Sequence, residues 1–188
     1  NPSRSAALGE IEVGIKVEDN GFSDEVFDGD LVIAEYVDWG IKAEVDEVKE
    51  LVAGKFEQKT DTIVIEENVA NTLLYNRDLT VELPEWVKIT EFDLVSEAGF
   101  DVDTPDVTGE DNYVDIPVVD SSTTSKGKLK FKLTLSIDGA KSGDIEAKIF
   151  GAGVEETSLV IAKAVAPVIP SIDKVNEVKI GIQSQPVA

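Results

Sequence analysis

Carboxylates are the one plentiful source of chemistry in this chain. Asp101, Asp103, Asp106, Glu110 and Asp111 crowd one loop-like stretch, and Asp19, Asp24, Asp28 and Asp30 another. Hard cations such as Ca2+ take roughly six to eight oxygens, mostly carboxylate and carbonyl, so both stretches offer the right donors. Neither follows the EF-hand spacing, because the glycine and the distal glutamate fall elsewhere. The first set is the candidate calcium site; solvated surface in an acidic protein explains the same residues without a ligand. Paired carboxylates could also serve a glycosidase. Among 38 acidic residues, however, some pair must lie close, and Tyr36, Trp39, Tyr75, Trp86 and Tyr113 are dispersed rather than gathered as a cleft lining.

Other chemistry is pruned by what is missing. The chain has no His and no Cys, which removes imidazole-ligated metals, His-based triads, thiolate nucleophiles and disulfides. Gly151-Ala152-Gly153-Val154-Glu155-Glu156 starts like a dinucleotide fingerprint but ends on an acid that would repel a pyrophosphate. A hairpin turn is the better reading there. Gly21-Phe22-Ser23-Asp24-Glu25 lacks the second glycine of a nucleophile elbow. No catalytic residue and no organic cofactor is expected. The chain reads as a non-enzyme.

Charge then limits the partners. A net charge of −21 repels phosphate backbones and anionic lipid surfaces, which argues against nucleic acid and membrane. No apolar run approaches the roughly 18 residues of a spanning helix. The chain opens Asn1-Pro2-Ser3-Arg4 without Met, as a processed secreted protein or an excised piece would. Absence of Cys and Met also removes the easily oxidised side chains, which suits life outside the cell.

The elements that must position these residues are strands. Ile11, Val13, Ile15 and Val17 alternate with polar or small residues. So do Leu79, Val81 and Leu83; Leu129, Phe131, Leu133, Leu135 and Ile137; and Ile145, Ala147 and Ile149. Each set predicts a half-buried strand with one face on a core. Further strands are expected at 31–37, 62–66, 87–94, 113–119, 158–164 and 177–183. Turns are expected at Asp19-Asn20-Gly21, Asp28-Gly29-Asp30, Lys126-Gly127 and Asp138-Gly139. The fold class expected is all-β and mainly antiparallel, a β-sandwich with Ig-like or jelly-roll character. One short helix is expected over Glu44–Ala53, where Val45, Val48, Leu51 and Val52 share a helical face and Gly54 would end it. Residues 101–115 and 120–127, the latter with five consecutive hydroxyl residues, read as surface loops.

Four segments follow. Residues 1–9 read as a flexible or processed lead, 10–166 as the sandwich, 167–176 as a proline-containing connector, and 177–188 as a final strand. That strand echoes the first: Glu10-Ile-Glu-Val-Gly-Ile-Lys is matched by Glu177-Val-Lys-Ile-Gly-Ile-Gln. The second copy would open a following domain or fill an equivalent slot in a neighbouring molecule. The candidate self-assembly residues are Ile11, Val13, Ile15 and Val17 with Val178, Ile180 and Ile182.

Three passages together resemble a known family. They are Lys55-Phe-Glu-Gln-Lys-Thr-Asp-Thr-Ile-Val-Ile-Glu-Glu-Asn, Leu79-Thr-Val-Glu-Leu-Pro-Glu-Trp-Val-Lys-Ile, and Gly143-Asp-Ile-Glu-Ala-Lys-Ile-Phe-Gly-Ala-Gly-Val. They are similar to repeat-like β domains of large secreted bacterial surface proteins of the S-layer or filament type. Those proteins carry a stalk domain similar to the copper amine oxidase N-terminal domain. The likeness lies in texture over residues 10–185, without a diagnostic motif or the stalk segment. It implies a structural or adhesive role, and no copper ligand carries over to a chain without His.

The leading expectation is thus an extracellular structural subunit of a surface layer or filament, whose partners are copies of itself. The alternative is a carbohydrate- or ligand-binding adhesin module contacting a polysaccharide or cell-wall polymer. An exposed aromatic platform at Trp39 or Trp86 would favour that alternative.

Overall fold

A computed structural model describes residues 9–18, 25–36 and 38–167. The described residues are all-β: thirteen strands and no helix. β1 (Gly9–Glu18) and β2 (Glu25–Tyr36) form a two-stranded antiparallel sheet of their own. The remaining strands are β3 (Ile41–Val45), β4 (Lys49–Val52), β5 (Gln58–Lys59), β6 (Ile63–Glu67), β7 (Arg77–Glu82), β8 (Val87–Ala98), β9 (Asp101–Val102), β10 (Tyr113–Asp120), β11 (Lys128–Ile137), β12 (Gly143–Gly151) and β13 (Val154–Val165). They make two larger sheets. One runs β4-β13-β12-β7-β10-β9. The other is built on β11, with β8 along one side and β6 and β5 in succession along the other, β3 lying outside β6. Every pairing is antiparallel except β4 with β13.

Alternation explains the core. Leu129, Phe131, Leu133 and Leu135 on β11 are fully buried, as are Ile145, Ala147 and Ile149 on β12 and Leu79 and Val81 on β7. Inward rows of both larger sheets meet in one apolar cluster. Within it Phe131 stacks on Phe92 of β8 at a centroid distance of 5.1 Å. Burying such side chains stabilises the fold by about 1.5–3 kcal/mol each, before conformational entropy is subtracted. The hairpin read at Gly151–Val154 is present. Gly151 pairs with Val154 across Ala152 and Gly153, both at positive φ as a two-residue primed turn demands.

Three expectations are corrected. The helix over Glu44–Ala53 is not formed: its residues finish β3, turn, and make β4. Val45 and Val52 are β-branched and find ladder partners in Ile63 and Val165, while Val48 stays exposed in the turn. Pairing across the sheet outweighs a local periodicity that four residues can mimic. The turn at Asp28-Gly29-Asp30 is instead the interior of β2, where Lys16, Ile15 and Gly14 of β1 provide partners. The hydroxyl stretch is not simply surface, since Ser122 is buried. The strand expected at 177–183 and the connector beyond residue 167 lie outside the described residues.

Candidate assembly surface

Whether a β protein joins its neighbours is decided at its edges, where unpaired N–H and C=O groups can accept another strand. The edges of the two larger sheets are blunted. β4 borders solvent beyond β13, but the Gln58 side chain closes it: Val52 N–H donates to Gln58 Oε1 at 2.7 Å and Gln58 Nε2 donates to Val52 O at 2.8 Å. β8 is longer and carries two bulges, at Thr90 and Val95, where its register against β11 slips. Its outward half is acidic, with Glu91, Asp93 and Glu97. Asp93 is held by Lys59 at 2.6 Å, and Glu97 turns back to accept from Val102 N–H. β9 is two residues long, and β3 carries the exposed Lys42–Glu44 ion pair.

The β1–β2 ribbon is also bulged, where its register slips at Ile11/Glu12 and at Val17/Glu18, and it carries acids on one face; what sets it apart is a row of apolar side chains left exposed. Each strand pairs only with the other among the described residues, so each keeps one open edge. The register sets the two faces. Ile11 lies opposite Ala34, Val13 opposite Leu31 and Ile15 opposite Gly29, which puts an apolar row on one side. Glu10, Glu12, Asp30 and Glu35 occupy the other. The sequence expectation that Ile11, Val13 and Ile15 face a core does not hold: they are 44%, 41% and 36% exposed, and Leu31 and Ile33 exceed half. Ile11, Val13, Ile15 and Leu31 make an apolar strip along one face of the ribbon, with Ile33 at the β2 bulge and Val32, also exposed, opposite Glu12 on the other face. Val178, Ile180 and Ile182 fall outside the described residues, and Val17 lies in β1 opposite Phe27.

The candidate calcium residues are not gathered. Asp101 lies in β9 opposite Asp120, Asp103 N–H donates to Pro117 O, and Asp111 accepts from Thr108 Oγ1 at 2.7 Å. Asp106 and Glu110 are exposed along the intervening loop. Among the described residues no three acidic side chains converge on a point where a metal could sit.

A buried polar cluster was not anticipated. Glu67 ends β6 on the same inward parity as Ile63 and Ile65 and is 1% exposed. Its carboxylate accepts from Leu73 N–H at 2.8 Å, from Gly127 N–H at 2.7 Å and from Ser122 Oγ. Ser122 in turn accepts from Asn71 N–H at 2.6 Å. One side chain thus ties the 68–76 and 121–127 segments to the end of β6. Gly127 is required by this packing, because a Cβ there would stand 1.9 Å from Phe100. The period-2 pattern of Ile63, Ile65 and Glu67 was the available signal. Glu67 and Ser122 are both buried and spend their hydrogen bonds on each other and on backbone N–H groups, which is a structural role.

Aromatic side chains are also displayed. Trp39 is 53% exposed, and Phe56 with the partly buried Trp86 lines an open groove of about 360 Å3 beside Glu85, Lys88 and Asp138. No protein-family model matches the chain, and no curated protein sequence matches it.

Proposed function

We propose that this chain is a non-enzymatic structural subunit of an extracellular surface layer or filament, assembling by β-strand addition between copies. The observation that carries the proposal is the β1–β2 ribbon: two strands that pair only with each other among the described residues, with Ile11, Val13, Ile15 and Leu31 exposed in one row. Strand addition supplies main-chain hydrogen bonds for affinity and alternate side chains for specificity. A head-to-tail contact of this kind need not close, so it propagates. In this reading the two larger sheets are the layers of a β-sandwich with Ig-like or jelly-roll character. The acidic, cysteine-free composition and the resemblance to secreted bacterial surface proteins support the extracellular placement.

Deletion of residues 1–37, which removes both strands of the ribbon, followed by electron microscopy, tests the proposal. Filaments or sheets from the full chain and their loss on deletion are expected. Unchanged assemblies after the deletion would overturn it.

A second reading is favoured by the exposed Trp39 and the Phe56–Trp86 groove: a polysaccharide-binding adhesin module, with pyranose rings stacked on the aromatic faces. Quenching of tryptophan fluorescence by a soluble cell-wall polysaccharide, lost in Trp39→Ala and Phe56→Ala, would select it.

A further inference from the structure

We infer that the segment Glu177–Gln183 of a second copy takes the place of β1 against β2, in the register β1 itself uses. The inference rests on the assembly reading above and names the segment that performs it. Position by position, Val178 corresponds to Ile11, Ile180 to Val13, Gly181 to Gly14 and Ile182 to Ile15. In the ribbon those β1 residues lie opposite Ala34, Leu31, Asp30 and Gly29 respectively.

Two features of β2 fit the incoming segment. The Asp30 carboxylate lies beside Gly14, with Oδ1 3.5 Å from where a Cβ would stand. That is ordinary contact distance, and Gly181 places the same small residue at the matching position. Charge improves on exchange. Glu12 shares the acidic face with Glu10, Asp30 and Glu35, and like charges at neighbouring cross-strand positions destabilise a ladder. Lys179 stands where Glu12 stands and brings a cation among those acids. At the far end Gln183 replaces Lys16 opposite Asp28, exchanging a charge for an amide donor. The apolar row is kept, with Val178, Ile180 and Ile182 facing Ala34, Leu31 and Gly29.

Chain length allows the reach. β13 ends at Val165, and residues 166–176 span up to about 35 Å when extended. Pro167, Pro170 and the absence of a β1-like pattern in that stretch are sequence features that suit a spacer.

Because the chain contains no cysteine, the register can be read by disulfide trapping. Leu31→Cys and Ile180→Cys single variants, mixed at assembling concentration under mild oxidation, are expected to form a heterodimeric disulfide. Leu31→Cys with Gly181→Cys, which points to the opposite face, is expected to cross-link at least tenfold more slowly. The double variant Leu31→Cys/Ile180→Cys should give a covalent ladder. Equal trapping by both pairs, or a double variant linked only within single molecules, would overturn the inference. Sedimentation of the unmodified chain separates donor identity from assembly itself. Assembly without selective trapping removes this segment as the donor while strand addition stands; a monomeric chain removes both.

Discussion

Gln58 and Val52 pair as though Gln58 were a neighbouring strand. Its amide oxygen accepts the Val52 N–H and its amide nitrogen donates to the Val52 carbonyl, on the side of β4 that faces away from β13. The next residue, Ala53, sends its N–H the other way, to Val165 O. A side chain thereby completes a sheet edge that would otherwise offer one N–H and one C=O to another molecule. Native sheets commonly manage exposed edges by devices of this kind.

Gln58→Leu should therefore lower stability by about 1 kcal/mol, since two partly exposed hydrogen bonds are exchanged for solvent. Urea denaturation would show the shift in midpoint at unchanged slope. A variant as stable as the parent would mean that the amide does not close the edge.

Glu67→Gln should cost more, about 3 kcal/mol, although it changes only one atom. Both carboxylate oxygens face backbone N–H donors, from Leu73 and Gly127, so an amide nitrogen at either place sets donor against donor in a buried site. Thermal unfolding followed by far-UV circular dichroism would measure it. Gly127→Ala should also destabilise, by the clash with Phe100.

Asp61 gives a pH-dependent prediction. The N–H of Thr62 and then the Lys49 ammonium hold its carboxyl below the ordinary carboxylate range, with Lys132 adding to the effect. A lowered folded pKa contributes stability that is present above the unfolded value, about 3.9, and is lost as pH falls through the folded value. Asp61→Asn should thus be less stable than the parent at pH 7, and the difference should narrow below pH of about 4. Paired melts at pH 7 and pH 3 would check the sign; a difference that widened on acidification would contradict it.

Much of this architecture was legible because period 2 is hard to counterfeit over a long run. Leu129 to Ile137 alternates five times, and β11 is the strand around which its sheet is built. Short runs were ambiguous. Val45, Val48, Leu51 and Val52 fit a helical face as well as two strands, and only the partners Ile63 and Val165 decide between them. Asp28-Gly29-Asp30 has turn composition, yet β1 supplies enough partners to keep it extended. The site divided similarly. Ile11, Val13 and Ile15 were recognisable as one face, but alternation states only that a face exists. What covers it is a tertiary fact, and for these three the answer is exposure.

The central claim is that the apolar row of the β1–β2 ribbon joins copies of this chain. Sedimentation velocity of the full chain and of Val13→Glu/Leu31→Glu, across a concentration series, tests it most directly. These two residues lie opposite each other in the ribbon and outside the core of the larger sheets, so the double variant should melt with the parent's main transition. Concentration-dependent assembly of the parent and a monomer for the variant are expected. A parent that stays monomeric throughout, or a variant that assembles equally well, would contradict it.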